Sequence, residues 1–258
     1  MSEVLFTDRE LFGTCEDMYS LHCAMNILKI YYGFRECYTE FTGYDITAYD
    51  YVHDLNTKSK VDTYIKNCCK ATLHKTPLEH VAVTFEISNI SRTCSHQNVR
   101  HRMASFNQKS QRYVGGHGET VIPDSIANNE KARDFFLNTV KTTYACYDEL
   151  KKLNIPNEDA RFVLTESSIT HYQMTMNFSS LINFLGLRLC KRAQWEIRGV
   201  AQKVLAHLKK DYEPIFGNIG PFCNQLGYCP EGKKGCGMYP TKEELVNCYR
   251  NAQTKETL

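Results

Sequence analysis

The apolar residues of this chain follow two different periods in neighbouring segments, and this change of period restricts the possible folds. Over residues 81–87, Val, Val, Phe and Ile stand at every second position, which predicts a half-buried strand. Residues 170–176 predict a second strand. Elsewhere apolar residues recur at helical spacing. The predicted helices cover 16–32, 57–70, 92–107, 130–152, 178–189 and 192–210.

These elements suit a single domain. We find no internal repeat and no interdomain linker, and 258 residues are enough for one sizeable core. Helices and strands mixed in this way indicate the α+β class. After Asp211 the chain becomes rich in Gly, Pro and Cys, so we expect the domain over 1–215 and a Cys-rich extension over 216–258.

Local patterns make these predictions more specific. The helix over 16–32 is expected to end at Gly33. Thr76 and Pro77 have the order of a helix cap and a first-turn proline. Residues 108–114 are expected to be extended. The predicted buried side of the 130–152 helix consists of Phe135, Phe136, Val140 and Leu150.

The charge balance limits the kinds of partner. With 31 basic and 29 acidic residues the net charge is +2, so any anion site must be local and no general binding to nucleic acid is expected. The first residues, MSEVLFTDRELF, lack a basic segment followed by an apolar run. No apolar stretch is long enough to cross a membrane. We therefore expect a cytoplasmic protein without membrane contact.

The twelve cysteines are spread over the whole chain, which favours reduced thiols. The first eight, from Cys15 to Cys190, are interpreted as small buried hydrophobic residues. Cys223, Cys229, Cys236 and Cys248 follow in the extension. Their spacing permits zinc binding but contains no CxxC pair. We therefore interpret them as packed side chains or as redox-labile thiols, and we predict no metal.

A basic stretch without acids lies in the middle of the chain. Residues 87–118 contain no Asp or Glu. The cationic residues inside are Arg92, Arg100, Arg102, Lys109 and Arg112. They could form a solvated face, pair with acids from other segments, or hold a phosphate-bearing small molecule through forked guanidinium groups. Nucleic acid is disfavoured, because only Phe106 and Tyr113 accompany the charges.

A motif in this stretch carries a family resemblance. The pattern Arg100-His101-Arg102-x-x-Ser105-x-Asn107-x-x-Ser110-x-Arg112-Tyr113 resembles, position for position, the signature of the flavin-dependent thymidylate synthases. Upstream, His74-x-Thr76-Pro77-x-Glu79-His80 is similar to that family's flavin and folate loop. Downstream similarity includes Asp159-Ala160-Arg161 and Thr175-Met176-Asn177. The resemblance covers roughly residues 70–200.

The resemblance implies a fold and a reaction. The fold is a single α+β domain with a mainly antiparallel sheet flanked by helices, the thymidylate synthase-complementing fold. The reaction makes dTMP from dUMP, with methylenetetrahydrofolate as one-carbon donor and FAD, reduced by NADPH, as hydride source. The family resemblance also implies a homotetramer with FAD and dUMP shared between subunits. Every one of these reactants is anionic, in keeping with an arginine-rich pocket.

By resemblance, Arg188 is the catalytic residue, because a guanidinium beside the uracil would stabilise negative charge developing on the ring. Its alternative role is to cap the end of the 178–189 helix. Ser110 is assigned to dUMP binding and not to nucleophilic attack, because no adjacent base would activate it. The implied dUMP residues are Gln97, Asn98, Val99, Arg100, Gln108, Lys109, Ser110, Gln111, Arg112, Arg161 and Arg188.

FAD binding rests on the family match alone, because no GxGxxG turn follows a strand. The implied FAD residues are His74, Thr76, Arg100, His101, Arg102, Gln108, Asn177, Ser179 and Asn183. His74 is implied as a contact near flavin and folate, although a loop histidine alone is usually a surface residue.

Two positions depart from the family pattern. Gln108 stands where an acid is frequent, and Ser179 where an arginine is normal; Arg192 could compensate for the second change. These departures leave two alternatives open. One is a related flavin-dependent hydroxymethylase or methyltransferase of pyrimidine nucleotides, and the other is a nucleotide-binding homologue with impaired catalysis.

Overall fold

The computed structural model describes residues 2–39, 43–71, 75–115 and 119–255. Its α-helices are α1 (Thr7–Phe12), α2 (Glu16–Tyr38), α3 (Ala48–His53), α4 (Leu55–Ala71), α5 (Arg92–Asn98), α6 (Asp124–Ala127), α7 (Glu130–Lys152), α8 (Asn157–Ala160), α9 (Phe178–Arg188), α10 (Trp195–Asp211), α11 (Glu213–Phe216), α12 (Phe222–Leu226) and α13 (Lys242–Lys255). Short 3₁₀ helices cover Thr76–His80, Arg161–Val163 and Gly232–Lys234. Of the helices described, none is both long and apolar enough to cross a bilayer.

The strands form a small sheet. They are β1 (Glu3–Phe6), β2 (Ala82–Ser91), β3 (Ser105–Gln108) and β4 (Ile169–Asn177), in the order β1-β2-β4-β3. Strands β3 and β4 run antiparallel, with Ser105 opposite Thr175 and Gln108 opposite Tyr172. The predicted α+β class is confirmed, as are the strands over 81–87 and 170–176.

The chain forms two compact units, which are described separately. The first unit comprises Met1–Leu5 and Thr84–Thr175, and the second comprises Phe6–Val83 and Met176–Leu258. The expected division into 1–215 and 216–258 stays a prediction, and we keep the name extension for residues 216–258.

In the first unit, side chains alternate along β4, so that Thr170, Tyr172 and Met174 are buried. The ring of Phe106 on β3 packs edge-to-face on Tyr172, with centroids 5.8 Å apart. This cross-strand pairing explains why the predicted helix over 92–107 is wrong beyond Asn98. The helical spacing of Val99, Met103 and Phe106 forms no buried stripe, since Val99 is 40% and Met103 75% exposed.

The prediction that residues 108–114 are extended is also wrong. Only its first residue belongs to β3. The backbone N–H groups of Tyr113 and Val114 both donate to the backbone oxygen of Ser110, which closes a turn. A short strand followed directly by a turn presents several consecutive side chains in different directions, and that suits a binding segment.

Helix α7 has the predicted bounds, 130–152. Asn129 caps its start by accepting a hydrogen bond from the backbone N–H of Ala132 at 3.1 Å. Its buried residues are Val140 and Tyr147, whereas Phe135 is 77% exposed. Of the predicted buried side, Val140 is correct, Phe136 and Leu150 are only half-buried, and Phe135 is wrong, because apolar spacing does not reveal whether a helix face meets its own chain.

In the second unit, an aromatic cluster joins the start of α9 to the end of α10. The Phe178 ring packs edge-to-face on Tyr212 and Phe216, with centroids 4.8 and 5.0 Å apart. The helices predicted over 178–189 and 192–210 are confirmed as α9 and α10.

Helix α2 continues past Gly33 to Tyr38, so the predicted end of the helix is wrong. Gly33 has a packing role instead. A Cβ at this position would lie 3.0 Å from Cβ of Pro77, so a larger residue would push α2 away from the 3₁₀ helix over Thr76–His80. Pro77 does occupy the first turn, but the cap is Lys75 and not Thr76.

A close contact attaches the extension to α9. A Cβ on Gly186 would lie 2.5 Å from the Phe222 ring of α12, a distance that real contacts do not reach. We expect Gly186→Ala to lower the free energy of unfolding by about 1–3 kcal/mol, the usual cost of overpacking, or to displace Phe222. Thermal unfolding and limited proteolysis of the extension measure the two effects.

Gly199→Ala is the matched control for this change. Gly199 lies inside α10 and a Cβ there meets nothing within 4 Å. Alanine at an open helical position is expected to stabilise the chain by up to about 1 kcal/mol. Equal unfolding temperatures and proteolysis patterns for the two variants would contradict the packing argument.

Candidate functional site

The residues implied in dUMP binding lie in four places, and all of them except Arg188 belong to the first unit. Residues 97–100 span the end of α5. Residues 108–112 comprise the last residue of β3 and the turn that follows it, and Arg161 begins the 3₁₀ helix after α8. Arg188 is the last residue of α9 in the second unit. The turn is tied to β4, since the Lys109 N–H donates to the backbone oxygen of His171 at 3.1 Å.

The structure brings Arg112 and Arg161 together on Glu158. Nε and Nη2 of Arg112 both lie 2.8 Å from Oε2 of the Glu158 carboxylate. Nε of Arg161 donates to the backbone oxygen of the same glutamate at 3.0 Å. About half of each side chain in the Arg112–Glu158 pair is exposed, 54% and 46%. The forked guanidinium of Arg112 therefore already holds an anionic oxygen.

The sequence gives no signal for Glu158. It lies directly before Asp159-Ala160-Arg161, a segment that the sequence did indicate. Its pairing with Arg112 spans 46 positions of the chain. Nothing local in the sequence signals so distant a partner.

Ser110 shapes the turn that carries Arg112. Its hydroxyl oxygen accepts a hydrogen bond from the Arg112 backbone N–H at 3.2 Å. No histidine or carboxylate among the described residues hydrogen-bonds this hydroxyl. This agrees with its interpretation as a binding residue, because an alcohol needs an adjacent base to act as a nucleophile.

The amide of Gln108 is held by two hydroxyl groups. Its Nε2 donates to Oγ of Ser95 at 2.9 Å and to Oγ1 of Thr170 at 3.2 Å. An acid at this position could accept hydrogen bonds from the same hydroxyls, because a hydroxyl can donate or accept. The departure at Gln108 therefore removes one negative charge while keeping the local contacts.

Asn98 serves the core of the first unit. Its side chain is buried and its Nδ2 donates to the Tyr172 hydroxyl and, at 3.7 Å, to Sδ of Met174. Within the described ranges, Oδ1 of Asn98 has no hydrogen-bond partner. The side chain is committed to the sheet, and its role toward dUMP stays a prediction.

A small cavity of about 110 Å³ lies beside Lys109 and Gln111. The Tyr144 hydroxyl, which also lines it, donates to Oγ of Ser168 at 3.2 Å. Ligand pockets usually measure roughly 300–1,000 Å³, so this cavity alone cannot enclose a nucleotide.

The residues implied in FAD binding occupy several segments. His74 lies outside the described residues, and Thr76 begins the 3₁₀ helix over Thr76–His80. Residues 100–102 connect α5 to β3, with Arg100 and Arg102 exposed. In the part of the chain that the structure describes, neither arginine has a carboxylate within 4.0 Å. The alternative that these arginines pair with acids from elsewhere therefore does not apply to them, whereas Arg112 does have such a partner.

Three further implied FAD residues lie at the start of α9 or on it. Oδ1 of Asn177 caps the helix by accepting a hydrogen bond from the Ser180 N–H at 2.8 Å. Asn183 is exposed and Ser179 is half-buried. The guanidinium of Arg192 donates to the backbone oxygen of Lys234, so a compensating role for Ser179 stays a prediction.

Comparison with known proteins identifies the family. A family model described as thymidylate synthase complementing protein matches residues 24–212, which is more than half of the chain. This chain belongs to that family.

Similar members are flavin-dependent thymidylate synthases. One from Nitratidesulfovibrio vulgaris is 37% identical over 234 residues, covering 87% of this chain and 95% of the relative. One from Geobacter sulfurreducens is 46% identical over 167 residues, covering 64% and 72%. One from Thermococcus onnurineus is 44% identical over 169 residues, covering 62% and 69%.

A solved structure shows the same fold. It is that of a UMP/dUMP methylase from Streptomyces cacaoi bound with 5-Br dUMP, with a TM-score of 0.62 and 20% identity. The match covers 74% of this chain and 88% of that one. At this identity the likeness concerns the fold alone.

The residues present suit a flavin dinucleotide. The exposed guanidinium groups of Arg100 and Arg102 are donors without a carboxylate partner among the described residues, which is the chemistry that phosphate groups require. The exposed amide of Asn183 offers both a donor and an acceptor for a sugar or ring edge.

Proposed function

We propose that this chain is a flavin-dependent thymidylate synthase that converts dUMP to dTMP, with methylenetetrahydrofolate as one-carbon donor and NADPH as the source of reducing equivalents. Membership of the family supports the reaction class. The observation that carries the substrate assignment is the convergence of Arg112 and Arg161 on Glu158, because a fork that holds a carboxylate oxygen at 2.8 Å can hold a phosphate oxygen in the same way.

Each arginine has its own proposed role toward dUMP. Arg112 and Arg161 bind the nucleotide, with Arg112 as the phosphate ligand. Arg188 stabilises the negative charge that develops on the uracil ring when C5 becomes nucleophilic, because a guanidinium stays protonated throughout. The remaining contacts come from the end of α5 and from the 108–112 segment: Gln97, Asn98, Val99, Arg100, Gln108, Lys109, Ser110 and Gln111.

FAD, when bound and reduced, supplies the hydride. The residues proposed to hold it are His74, Thr76, Arg100, His101, Arg102, Gln108, Asn177, Ser179 and Asn183. The cap that Asn177 makes on α9 supports this assignment, because it fixes the start of a helix that also carries Ser179 and Asn183.

We also propose a homotetramer with shared active sites, located in the cytoplasm. Three large apolar side chains of the first unit support an interface: Phe135, Leu153 and Phe162 are 77%, 71% and 83% exposed. A contiguous patch of exposed apolar side chains is typical of a surface that a second chain covers, and these three residues are the proposed candidates for such a patch. The cavity beside Lys109 is too small for a nucleotide, which agrees with a site completed by another subunit.

Purified protein should be yellow or take up FAD, and NADPH with dUMP should bleach its visible absorption. With methylenetetrahydrofolate present, dUMP labelled with tritium at C5 should release the label. A colourless protein that neither takes up FAD nor binds dUMP would contradict the proposal. The product mass distinguishes dTMP from a hydroxymethylated nucleotide, and dUMP binding without tritium release would identify a homologue with impaired catalysis.

A further inference from the structure

Two buried hydroxyl groups fix the side chain of Gln108 at the end of β3. Its Nε2 donates to Oγ of Ser95 at 2.9 Å and to Oγ1 of Thr170 at 3.2 Å. Both hydroxyl residues are buried, so the two contacts are removed from solvent. Ser95 lies on α5 and Thr170 on β4, so three elements of the first unit meet at this amide.

The proton of Ser95 decides which way the amide points. A serine hydroxyl has one proton to donate and lone pairs that accept. Oγ of Ser95 donates its proton to the backbone oxygen of Arg92 at 2.9 Å, and a carbonyl oxygen can only accept. Ser95 therefore presents only lone pairs to position 108, where an N–H group suits it and an oxygen does not. To donate to an acid at position 108, Ser95 would have to give up its hydrogen bond to Arg92.

This orientation leaves one polar atom of the Gln108 amide for a ligand. An amide nitrogen of this kind carries two protons, and both are engaged, one with Ser95 and one with Thr170. The buried side-chain oxygen atoms without a partner belong to other residues of the described chain, so Oε1 of Gln108 is accessible to solvent. Gln108 therefore offers a ligand an acceptor and no donor.

The backbone around Gln108 is also held in place. Gln108 is paired with Tyr172 across β3 and β4, and the N–H of the next residue, Lys109, donates to the backbone oxygen of His171 at 3.1 Å. Phe106 lies on the same face of the strand and packs on the Tyr172 ring, with centroids 5.8 Å apart. Backbone and side-chain contacts thus set the position of Oε1 before any ligand binds, and this lowers the entropic cost of binding.

We propose that Ser95, together with Thr170, is a positioning residue that turns the Gln108 amide so that Oε1 accepts a hydrogen bond from dUMP. This inference rests on the proposed function, in which Gln108 belongs to the dUMP site. The donors that dUMP offers are N3–H of the uracil and the 3′-hydroxyl of the sugar. Gln108 recognises one of them, and the buried Ser95 acts only through Gln108.

The test compares dUMP with two analogues that each lack one donor, N3-methyl-dUMP and 2′,3′-dideoxyuridine 5′-monophosphate. Isothermal titration into the full-length protein measures the three dissociation constants. We expect one analogue to bind about 3- to 10-fold more weakly than dUMP, which is the effect of one neutral hydrogen bond. The analogue that loses affinity identifies the donor. Equal affinity for all three nucleotides would overturn the proposal.

Three variants show whether this discrimination passes through the amide. Gln108→Ala lacks the acceptor, so it should bind dUMP and the analogues equally; a difference that persists there would be steric and would overturn the proposal. In Ser95→Ala the amide can turn Oε1 inward to Thr170, so the difference should shrink to less than about twofold. Gln108→Glu should keep the difference, because a carboxylate still turns an acceptor outward. Full discrimination by Ser95→Ala would overturn the positioning role.

Ser91→Ala is the matched control. Ser91 is also buried, and its Oγ caps α5 by accepting a hydrogen bond from the Cys94 N–H at 3.0 Å, so its removal also destabilises this helix. The hydrogen bonds of the Gln108 amide go to Ser95 and Thr170 and not to Ser91, so this variant should discriminate like the unchanged protein.

The remaining outcomes separate this inference from the proposed function. An equal loss of discrimination in Ser91→Ala and Ser95→Ala would assign the effect to the stability of α5 and overturn the positioning role. An unchanged protein that binds dUMP but does not distinguish it from the analogues would overturn this inference alone. An unchanged protein that binds no dUMP would overturn the proposed function as well.

Discussion

Replacing Arg112 with alanine is expected to weaken dUMP binding about 100-fold, which corresponds to about 2.7 kcal/mol. The fork of this guanidinium makes two contacts of 2.8 Å with one anionic oxygen in the structure. Charge-assisted hydrogen bonds contribute about 1.5–3 kcal/mol, and the variant loses the phosphate partner entirely. Isothermal titration of dUMP measures the change. The dUMP affinity of Arg112→Lys should lie between that of the unchanged protein and that of Arg112→Ala, because lysine keeps the positive charge but lacks the forked guanidinium.

Glu158→Gln distinguishes a phosphate ligand from a structural ion pair. If Arg112 acts on dUMP, Glu158 competes with the phosphate for the fork, and removing its charge should leave dUMP affinity unchanged or raise it. If the Arg112–Glu158 ion pair merely holds the turn in place, Glu158→Gln and Arg112→Ala should weaken dUMP binding by similar factors. Unfolding temperatures should change little in either case, because a half-exposed ion pair contributes about 0–1 kcal/mol.

Arg133→Ala is the matched control for lost positive charge in the first unit. Arg133 lies on α7 and approaches Asp134 at 3.8 Å, with 44% of its side chain exposed. Its removal should leave dUMP affinity within about twofold of the unchanged protein, since no contact with the nucleotide is expected and long-range charge effects are screened by salt. If Arg112→Ala and Arg133→Ala lost dUMP affinity equally, Arg112 would contribute only through its positive charge and not as a specific phosphate ligand.

The sequence predicts those elements whose apolar pattern coincides with their final environment. α9 and β4 are of this kind, since six residues of α9 are buried and alternating burial runs along β4. The bounds of α7 are predictable because Asn129 caps its start, although its apolar pattern does not match its environment at Phe135. β3 is not, because its four residues carry no strand signal and are extended only by pairing with β4, more than sixty positions later. Tertiary pairing therefore decides this segment against its local helical spacing.

Some residues of the candidate site are likewise predictable from the sequence, and others are not. The motif residues from Arg100 to Arg112 are contiguous, so the sequence reveals them as a set. Glu158 is invisible at that level, because its significance comes from a contact between distant segments. The exposure of Phe135 has the same origin, since the sequence shows an apolar side chain but not the surface that it meets.

Replacing Arg188 with alanine is expected to lower the rate of tritium release from C5 of dUMP about 10²- to 10³-fold, the usual effect of removing one donor that stabilises developing charge. The helix that carries it is firmly held. α9 has six buried residues: Phe178, Leu181, Ile182, Phe184, Leu185 and Gly186. A side chain on so rigid a support can be positioned accurately against a ring. Binding of dUMP should weaken much less than turnover, since the charge develops only during reaction.

The alternative is that Arg188 only caps the C-terminus of α9, where a cation contributes about 0.3–1 kcal/mol. In that case Arg188→Ala would lower the unfolding temperature by a few degrees and leave the turnover of folded protein unchanged. Arg188→Lys separates the two roles, because lysine satisfies the helix end but lacks the planar fork. Arg198→Ala is the matched control, since Arg198 lies on α10 and donates to the backbone oxygen of Lys191 at 2.8 Å. A lysine variant with full turnover would show that Arg188 acts through its charge on the helix, because a fork aimed at the uracil carbonyls cannot be replaced by a single ammonium without loss.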